Sequence, residues 1–151
     1  MEQKNNNIVI YSRLILLKTI SHLIKKGKKA TANKILQNTF IKIRLITKKN
    51  PWILFCYAMN NLITYVETVK VRRAGKTYEI PVPAKKKRQL FLAFKWMLMS
   101  LKSKKLRNDN SFNLLTKEIL SASNKRGKAF TQKRVVLKKA FNNKALSHFR
   151  W

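Results

Sequence analysis

The sequence predicts a mainly α-helical domain of six helices, with one extended β-hairpin inserted between the third and fourth helices. Apolar residues recur at helical spacing in six stretches, whereas apolar and polar residues alternate with period two between Thr68 and Val82. Only three glycines and three prolines interrupt the 151 residues, which favours long helices over many short strands. The length suits one domain, so we expect residues 1–151 to fold as a single unit.

Three helices are predicted before the hairpin. The first ends at Gly27, a residue type that commonly stops a helix. The second begins at Thr31 or a residue or two earlier, and the third follows Asn50 as N-cap with Pro51 at the first helical position. The residues expected to face the core are Leu16, Leu17, Ile20, Leu23 and Ile24 in the first helix, Ile35, Leu36, Thr39, Phe40 and Ile43 in the second, and Leu54, Phe55, Ala58, Met59, Leu62 and Ile63 in the third.

The hairpin is predicted over about residues 66–82, because two period-two runs flank a turn that contains Gly75. Pro81 and Pro83 are expected to end the second strand. The tip carries Arg72, Arg73 and Lys76, which would make the hairpin a basic finger. An isolated hairpin is only marginally stable in water, so we expect other parts of the molecule to order it.

Three further helices are predicted after the hairpin. The fourth opens on the basic run of residues 85–88, the fifth extends from about Ser111 to Asn124, and the sixth from about Thr131 to Leu146. The residues expected to face the core are Leu90, Phe94, Met97, Leu98 and Leu101 in the fourth helix, Phe112, Leu115, Ile119 and Ala122 in the fifth, and Val136, Ala140 and Phe141 in the sixth.

The charge balance of the chain predicts a polyanionic partner. Thirty-five residues are Lys or Arg and five are acidic, for a net charge of +30, while 45% of residues are hydrophobic. The cations are spread along a chain that can fold, unlike the block of like charge in a disordered tail. Nucleic acid fits best, because Lys and Arg release the counterions condensed on its phosphates. A solvated basic surface without a partner is the alternative.

The cations form clusters at predicted loops and element ends, where together they could bind many phosphates without reading sequence. The clustered candidates for binding nucleic acid are Lys25, Lys26, Lys28, Lys29, Lys48, Lys49, Arg72, Arg73, Lys76, Lys85, Lys86, Lys87, Arg88, the cations of residues 102–107, Lys125, Arg126 and Lys128. The aromatic rings that could stack on unpaired bases are Tyr11, Trp52 and Phe149, whereas core packing is expected for Trp96.

Catalytic, metal and membrane functions find little support in the sequence. The chain contains no recognisable catalytic motif, and its single cysteine, Cys56, lies far from His22 and His148, so no active site, metal site or cofactor is predicted. The apolar runs at residues 52–59 and 90–101 are shorter than the roughly 20 residues that span a bilayer. Two rivals to a specific RNA-binding role therefore stay open: a non-specific nucleic-acid-compacting protein and a basic membrane-surface protein.

Four short stretches match, in the same order, the motifs of one known family. They are residues 27–32 (GKKATA), the hairpin run 69–82, residues 88–96 from Arg88 to Trp96, and residues 143–151 (NKALSHFRW). On these motifs the chain resembles the universal small-subunit ribosomal protein seven family, over about residues 14–151. The hairpin turn is one residue shorter than in the family pattern.

The resemblance implies a helical protein with an extended hairpin that binds the 3′ major domain of small-subunit rRNA and supports assembly of the ribosomal head. It also implies a place near exit-site tRNA and mRNA, beside neighbouring head proteins. The residues that inherit candidate RNA-binding roles by match are Lys28, Lys29, Lys70, Arg72, Arg73, Arg88, Lys95 and Arg150.

The residue usage indicates where the protein works. Lys, Asn and Ile are abundant, as in proteins encoded by AT-rich genomes, and the N-terminus carries no convincing presequence. Together with the divergence from the family pattern, this usage predicts a mitochondrial ribosomal protein of the matrix. A plastid or bacterial origin is the alternative.

Overall fold

The computed structural model describes residues 15–104 and 110–150, without the side chains of residues 100–104 and 150. The described part of α1 covers residues 15–23. The remaining elements are α2 (Lys29–Thr47), α3 (Pro51–Leu62), β1 (Val66–Arg73), β2 (Lys76–Pro83), α4 (Lys86–Lys104), α5 (Ser111–Ser123), α6 (Lys128–Asn142) and a 3-10 segment (Lys144–Arg150). The predicted fold class, six helices with a hairpin between the third and fourth, is confirmed.

The hydrophobic core lies among α2, α3, α4 and α5. The α5 helix packs against both α2 and α3, while α6 packs against α4 and both strands of the hairpin. The largest fully buried apolar side chains are Ile43, Phe55, Leu62, Ile80, Phe94, Met97, Leu115 and Ile119. Apart from Ile80 of β2, these residues belong to the predicted core faces of the second to fifth helices. In the described residues, no helix is both long enough and apolar enough to cross a membrane.

A side-chain cap marks the start of α3, whereas the start of α2 has none. The Asn50 Oδ1 accepts a hydrogen bond from the Trp52 backbone N–H at 3.0 Å, and Pro51 occupies the first helical position, as predicted. The α2 helix begins at Lys29, two residues before Thr31, whose hydroxyl donates to the Lys28 carbonyl at 2.7 Å. The earlier of the two predicted starts is therefore the correct one.

Two residues predicted to face the core are exposed. Leu17 is 49% exposed and Phe141 is 77% exposed. The buried face of α6 is formed by Ala129 and Ala140, and Phe141 lies one residue, or about 100°, further around the helix. The predicted bounds of this helix were also too late, because α6 occupies residues 128–142 and the chain then continues in 3-10 geometry.

The second strand ends at Pro83, the later of the two prolines expected to end it and one residue beyond the predicted bound of about residue 82. Pro81 pairs with Thr68 and the strand continues to Pro83, which pairs with Val66. Each strand of a two-stranded sheet has one open edge, where a residue without an N–H costs no ladder hydrogen bond.

Among the other expected core residues, Phe112 and Leu98 are half-buried, and the side chain of Leu101 lies outside the described part.

Candidate nucleic-acid interface

The predicted RNA-binding residues are exposed wherever the structure describes their side chains. This group comprises Lys25, Lys26, Lys28, Lys29, Lys70, Arg72, Arg73, Lys76, Lys85, Lys86, Lys87, Arg88, Lys95, Lys125, Arg126 and Lys128. The side chain of Arg150 and the cations of residues 105–109 lie outside the described part, as do the side chains of Lys102 and Lys104.

Three lysines adopt left-handed backbone conformations just after helices. Lys26, Lys48 and Lys125 have φ values of 50°, 53° and 55°, although left-handed geometry is uncommon for residues other than glycine, Asn and Asp. The backbone N–H of Lys48 donates to the Arg44 carbonyl at 2.9 Å, which closes the end of α2. A cation at a helix C-terminus is favoured by the helix dipole. The fold thus places exposed lysines at the ends of α1, α2 and α5.

The hairpin tip carries cations on both faces of the ribbon. Its two-residue turn, Ala74 and Gly75, has φ values of 47° and 77° and joins strands in which Arg73 pairs with Lys76. Lys70 and Arg72 lie on the opposite face, because alternate residues of a strand point to opposite sides. The turn therefore presents Arg73 and Lys76 side by side on one face and Arg72 on the other.

Two ion pairs join the hairpin to the helical body, one near its base and one halfway along β2. Arg88 Nε, at the start of α4, lies 2.9 Å from Glu67 Oε2 on β1. Lys139 Nζ of α6 lies 3.3 Å from Glu79 Oε2 on β2. Both glutamates thus pair with cations of the helical body, Arg88 of α4 and Lys139 of α6. Arg88, an RNA-binding candidate, therefore also has a structural contact within the chain.

The C-terminal 3-10 segment also packs against the hairpin. The ring of Phe149 lies 5.4 Å from the ring of Tyr78, centroid to centroid. Two of the aromatic residues considered for base stacking are thus engaged within the protein, since Trp52 also packs on Phe55 at 5.6 Å. Trp96 is buried as predicted, and Tyr11 lies outside the described residues.

Some cations have structural roles that the sequence did not indicate. Lys133 Nζ of α6 donates to the carbonyl of Asn61, in the last turn of α3, at 2.7 Å. Burial, with a smaller contribution from Lys125, lowers the pKa of Lys133. Lys42 contacts the Asn113 side chain and lies 5.7 Å from the Phe112 ring. Only the tertiary structure separates these lysines from those that face solvent.

The three acidic residues in the described part all make contacts within the fold. Glu67 and Glu79 pair with Arg88 and Lys139, and the buried Glu118 accepts a hydrogen bond from the Ala129 N–H at 2.9 Å. Few carboxylates are therefore left to neutralise the exposed basic clusters. Within residues 15–104 and 110–150, no group of three or more His, Cys, Asp or Glu side chains could hold a metal ion.

Tertiary packing brings together candidates that are distant in sequence. Lys25 and Lys28 of the α1–α2 loop line the same cleft as Lys95 of α4. A second depression, at the α2–α3 turn, is lined by Lys48, Lys49 and also Arg44, which does not belong to the predicted clusters. The four-residue spacing between Arg44 and Lys48 on a helix was the signal that could have found it.

The family comparison decides what this basic, hairpin-bearing fold is. The family model described as ribosomal protein S7p/S5e matches residues 2–144. The chain belongs to this family. The resemblance predicted from four short motifs is thus confirmed by a match over nearly the whole chain.

Individual members of the S7p/S5e family match over similar lengths. The small ribosomal subunit protein uS7m of Reclinomonas americana is 35% identical over 152 residues, covering 99% of this chain and 94% of the relative. The uS7 protein of Rickettsia bellii is 38% identical, covering 92% and 84% of the two chains. The uS7 protein of Mycoplasmopsis synoviae is 35% identical, covering 94% and 90%.

Membership of the S7p/S5e family distinguishes a structural role of this chain from an enzymatic one. The chain is a ribosomal protein, a structural component rather than an enzyme. This agrees with the prediction from the sequence, where no catalytic constellation was found.

Proposed function

We propose that this chain binds the 3′ major domain of small-subunit rRNA as a single RNA-binding domain over residues 1–151 and supports assembly of the ribosomal head. The observation that carries the proposal is the exposure of the basic clusters at loops and helix ends, while the described acidic residues make contacts within the fold. The relatives named as small ribosomal subunit proteins support the choice of rRNA over other polyanions.

The arrangement of the cations suits folded RNA. The loops after α1 and α5, the hairpin tip and the start of α4 each present exposed Lys or Arg side chains. Such contacts position a protein on a phosphate backbone, and structured RNA is recognised mainly through shape, phosphates and 2′-hydroxyls. We propose neighbouring small-subunit head proteins as the other partners, without a role for a membrane.

Binding of an in-vitro-transcribed 3′ major domain fragment tests the proposal. If six to ten phosphates are contacted, affinity falls by about 10³- to 10⁵-fold between roughly 50 and 200 mM salt. An affinity that does not change with salt contradicts the electrostatic mechanism. Random duplex DNA is the competitor, and equal binding of DNA and the fragment would favour the alternative, a non-specific compacting protein.

We further propose that the hairpin reaches toward exit-site tRNA and mRNA. The ion pairs at the base and at the middle of the hairpin, with the exposed Arg72, Arg73 and Lys76 at its tip, support a finger that holds its direction. In reconstituted small subunits, replacing both Arg72 and Arg73 by Ala is expected to weaken exit-site tRNA binding while the helical content of the free protein stays unchanged. Unaltered tRNA and mRNA contacts in those subunits would contradict this role.

We propose the mitochondrial ribosome as the site of action, in the matrix. The match to a uS7m protein over 99% of the chain supports this location, although the bacterial Rickettsia bellii relative is similarly identical. Fractionation of source cells followed by sedimentation would place the chain in organellar or cytoplasmic small subunits, and a cytoplasmic position would overturn the mitochondrial proposal.

A further inference from the structure

A cleft of about 570 Å³ lies where the α1–α2 loop meets α4 and the start of α5. This volume falls within the roughly 300–1,000 Å³ typical of small-molecule sites. Its walls include the apolar side chains of Ile35, Met99 and Leu114. Two large apolar residues of the cleft are incompletely covered, since Phe91 is 39% exposed and Met99 is 45% exposed.

An aromatic group forms one side of the cleft. The His22 ring lies 5.4 Å from the Phe91 ring and 5.3 Å from the buried Phe94 ring, centroid to centroid. Burial and the nearby Lys18 charge lower the pKa of His22, which keeps the imidazole neutral near pH 7. A neutral imidazole beside an accessible phenyl ring offers both a stacking surface and hydrogen-bonding nitrogen atoms.

Three exposed cations line this apolar interior. Lys25 and Lys28 contribute from the α1–α2 loop and Lys95 from α4, and none of the described residues that line the cleft is acidic. The ligand that complements a positive rim and an aromatic interior is one with an anionic group attached to a flat, hydrogen-bonding ring. Among RNA components this describes an unpaired nucleotide, whose base can leave the helix and stack on aromatic side chains.

We propose that this cleft holds one unpaired nucleotide of the bound RNA, with its base against Phe91 and His22 and its phosphates beside Lys25, Lys28 and Lys95. The inference rests on the proposed rRNA-binding function and adds a site that recognises a base rather than only a phosphate backbone. The cleft would thus add stacking on an aromatic ring to basic clusters that otherwise contact RNA only through their charge.

Nuclear magnetic resonance of the full chain tests the cleft without rRNA. The probes are adenosine monophosphate, uridine monophosphate and inorganic phosphate, and the signals observed are the Met99 methyl group and the His22 and Phe91 ring protons. We expect the nucleotides to shift these signals to saturation and phosphate to leave the ring protons unchanged. Equal shifts with inorganic phosphate would overturn the proposal, because the cleft would then bind anions without recognising a base. The absence of any shift with either nucleotide would overturn it as well.

Matched variants separate the base contact from the charge. Phe91→Leu keeps apolar volume but removes the ring, so nucleotide binding should weaken by about 5- to 100-fold, the range expected for base–aromatic stacking. Lys95→Gln should weaken nucleotide binding as well, whereas Lys138→Gln removes an exposed charge from α6 outside the cleft and should not. If Phe91→Leu binds nucleotide as the unmodified chain does, the base does not lie in this cleft.

The rRNA fragment provides an independent readout. Ultraviolet cross-linking of its complex, mapped by mass spectrometry, should place cross-links on peptides containing His22 or Phe91. Salt-dependent binding of the fragment with no cross-link in these peptides would overturn the nucleotide site while leaving the proposed function intact. If free nucleotides bind in the cleft but the rRNA fragment does not bind the chain, the proposed rRNA-binding function is overturned and the cleft remains a nucleotide site.

Discussion

The carboxylate of Glu118, on α5, accepts a hydrogen bond from the backbone N–H of Ala129 at 2.9 Å, in the first turn of α6. Glu118 is fully buried, in a chain that carries a net charge of +30. The first N–H groups of a helix have no partner within the helix, and the positive end of the helix dipole favours an anion there. One of five acidic residues thus joins α5 to α6.

Replacing Glu118 tests this junction. Glu118→Ala leaves the Ala129 N–H buried without its acceptor, so we expect the free energy of unfolding to fall by about 1–3 kcal/mol. Glu118→Gln keeps an oxygen that can accept the bond and should cost less. Urea denaturation measures both, and equal losses for Ala and Gln would show that the charge rather than the hydrogen bond holds the two helices.

Gly127 is required by the same junction. Its φ of 95° and ψ of 170° lie in a region that essentially only glycine adopts, and an added Cβ would lie 3.0 Å from Glu118 Oε1 and from Ser121 Cβ. Gly127→Ala should therefore lower the free energy of unfolding by about 3 kcal/mol. Gly27→Ala is the control, because Gly27 also has a left-handed φ, of 73°, but an added Cβ there meets nothing within 4 Å. We therefore expect this control to lower the free energy of unfolding by only about 1 kcal/mol. Similar losses at both positions would rule out the predicted contact with Glu118.

The hairpin turn contains strain that a substitution can relieve. Ala74 has a φ of 47°, where a Cβ is unfavourable, so Ala74→Gly should stabilise the hairpin by about 0.5–1 kcal/mol. Slower hydrogen exchange of the β1 and β2 amides would report the gain. Ala30→Gly, at an exposed position of α2, should have the opposite sign, because glycine in a helix loses more conformational freedom than alanine. Faster exchange in Ala74→Gly would contradict the turn geometry.

The environment of His22 predicts a pH dependence of stability. Burial first, and the Lys18 charge second, lower its pKa below the ordinary 6.5 in the folded state, so the unfolded chain takes up a proton at a higher pH than the native chain does. The free energy of unfolding should therefore fall as the pH drops from 7 through 6.5 toward the native pKa of His22.

Replacing the histidine isolates this effect. His22→Gln should reduce the slope of unfolding free energy against pH below 6.5, whereas the exposed His148→Gln should preserve the part of the slope due to His22. Denaturant midpoints measured at several pH values give both slopes. A slope that His22→Gln leaves unchanged would show that other groups cause the loss of stability in acid.

Local chemistry made several elements predictable. Asn50 followed by Pro51 is a helix start whose hydrogen bond forms within three residues, and the alternation around Gly75 is sufficient to predict a two-stranded hairpin. The core faces of α2 and α3 followed from helical periodicity. The prediction that Phe141 faces the core was wrong, because periodicity near the end of α6 does not distinguish a residue facing the core from its neighbour 100° away.

The candidate interface was predictable only in part. Exposure of the basic clusters followed from the high cost of burying unpaired charge, which keeps most lysines at the surface. The internal roles of Lys133, Lys139 and Arg88 did not follow, because each depends on a partner at least 21 residues away in the chain.

The sequence by itself determined the polyanionic class of partner, the order of the elements and the family, since these depend on composition, on local periodicity and on motifs that survive in chain order. Only the tertiary structure decided that Glu118 holds α6, that Lys25, Lys28 and Lys95 line one cleft, and that Phe149 packs on Tyr78. The physical reason is that contact energies act over a few ångströms, and residues distant along the chain come within that range only after the helices have packed.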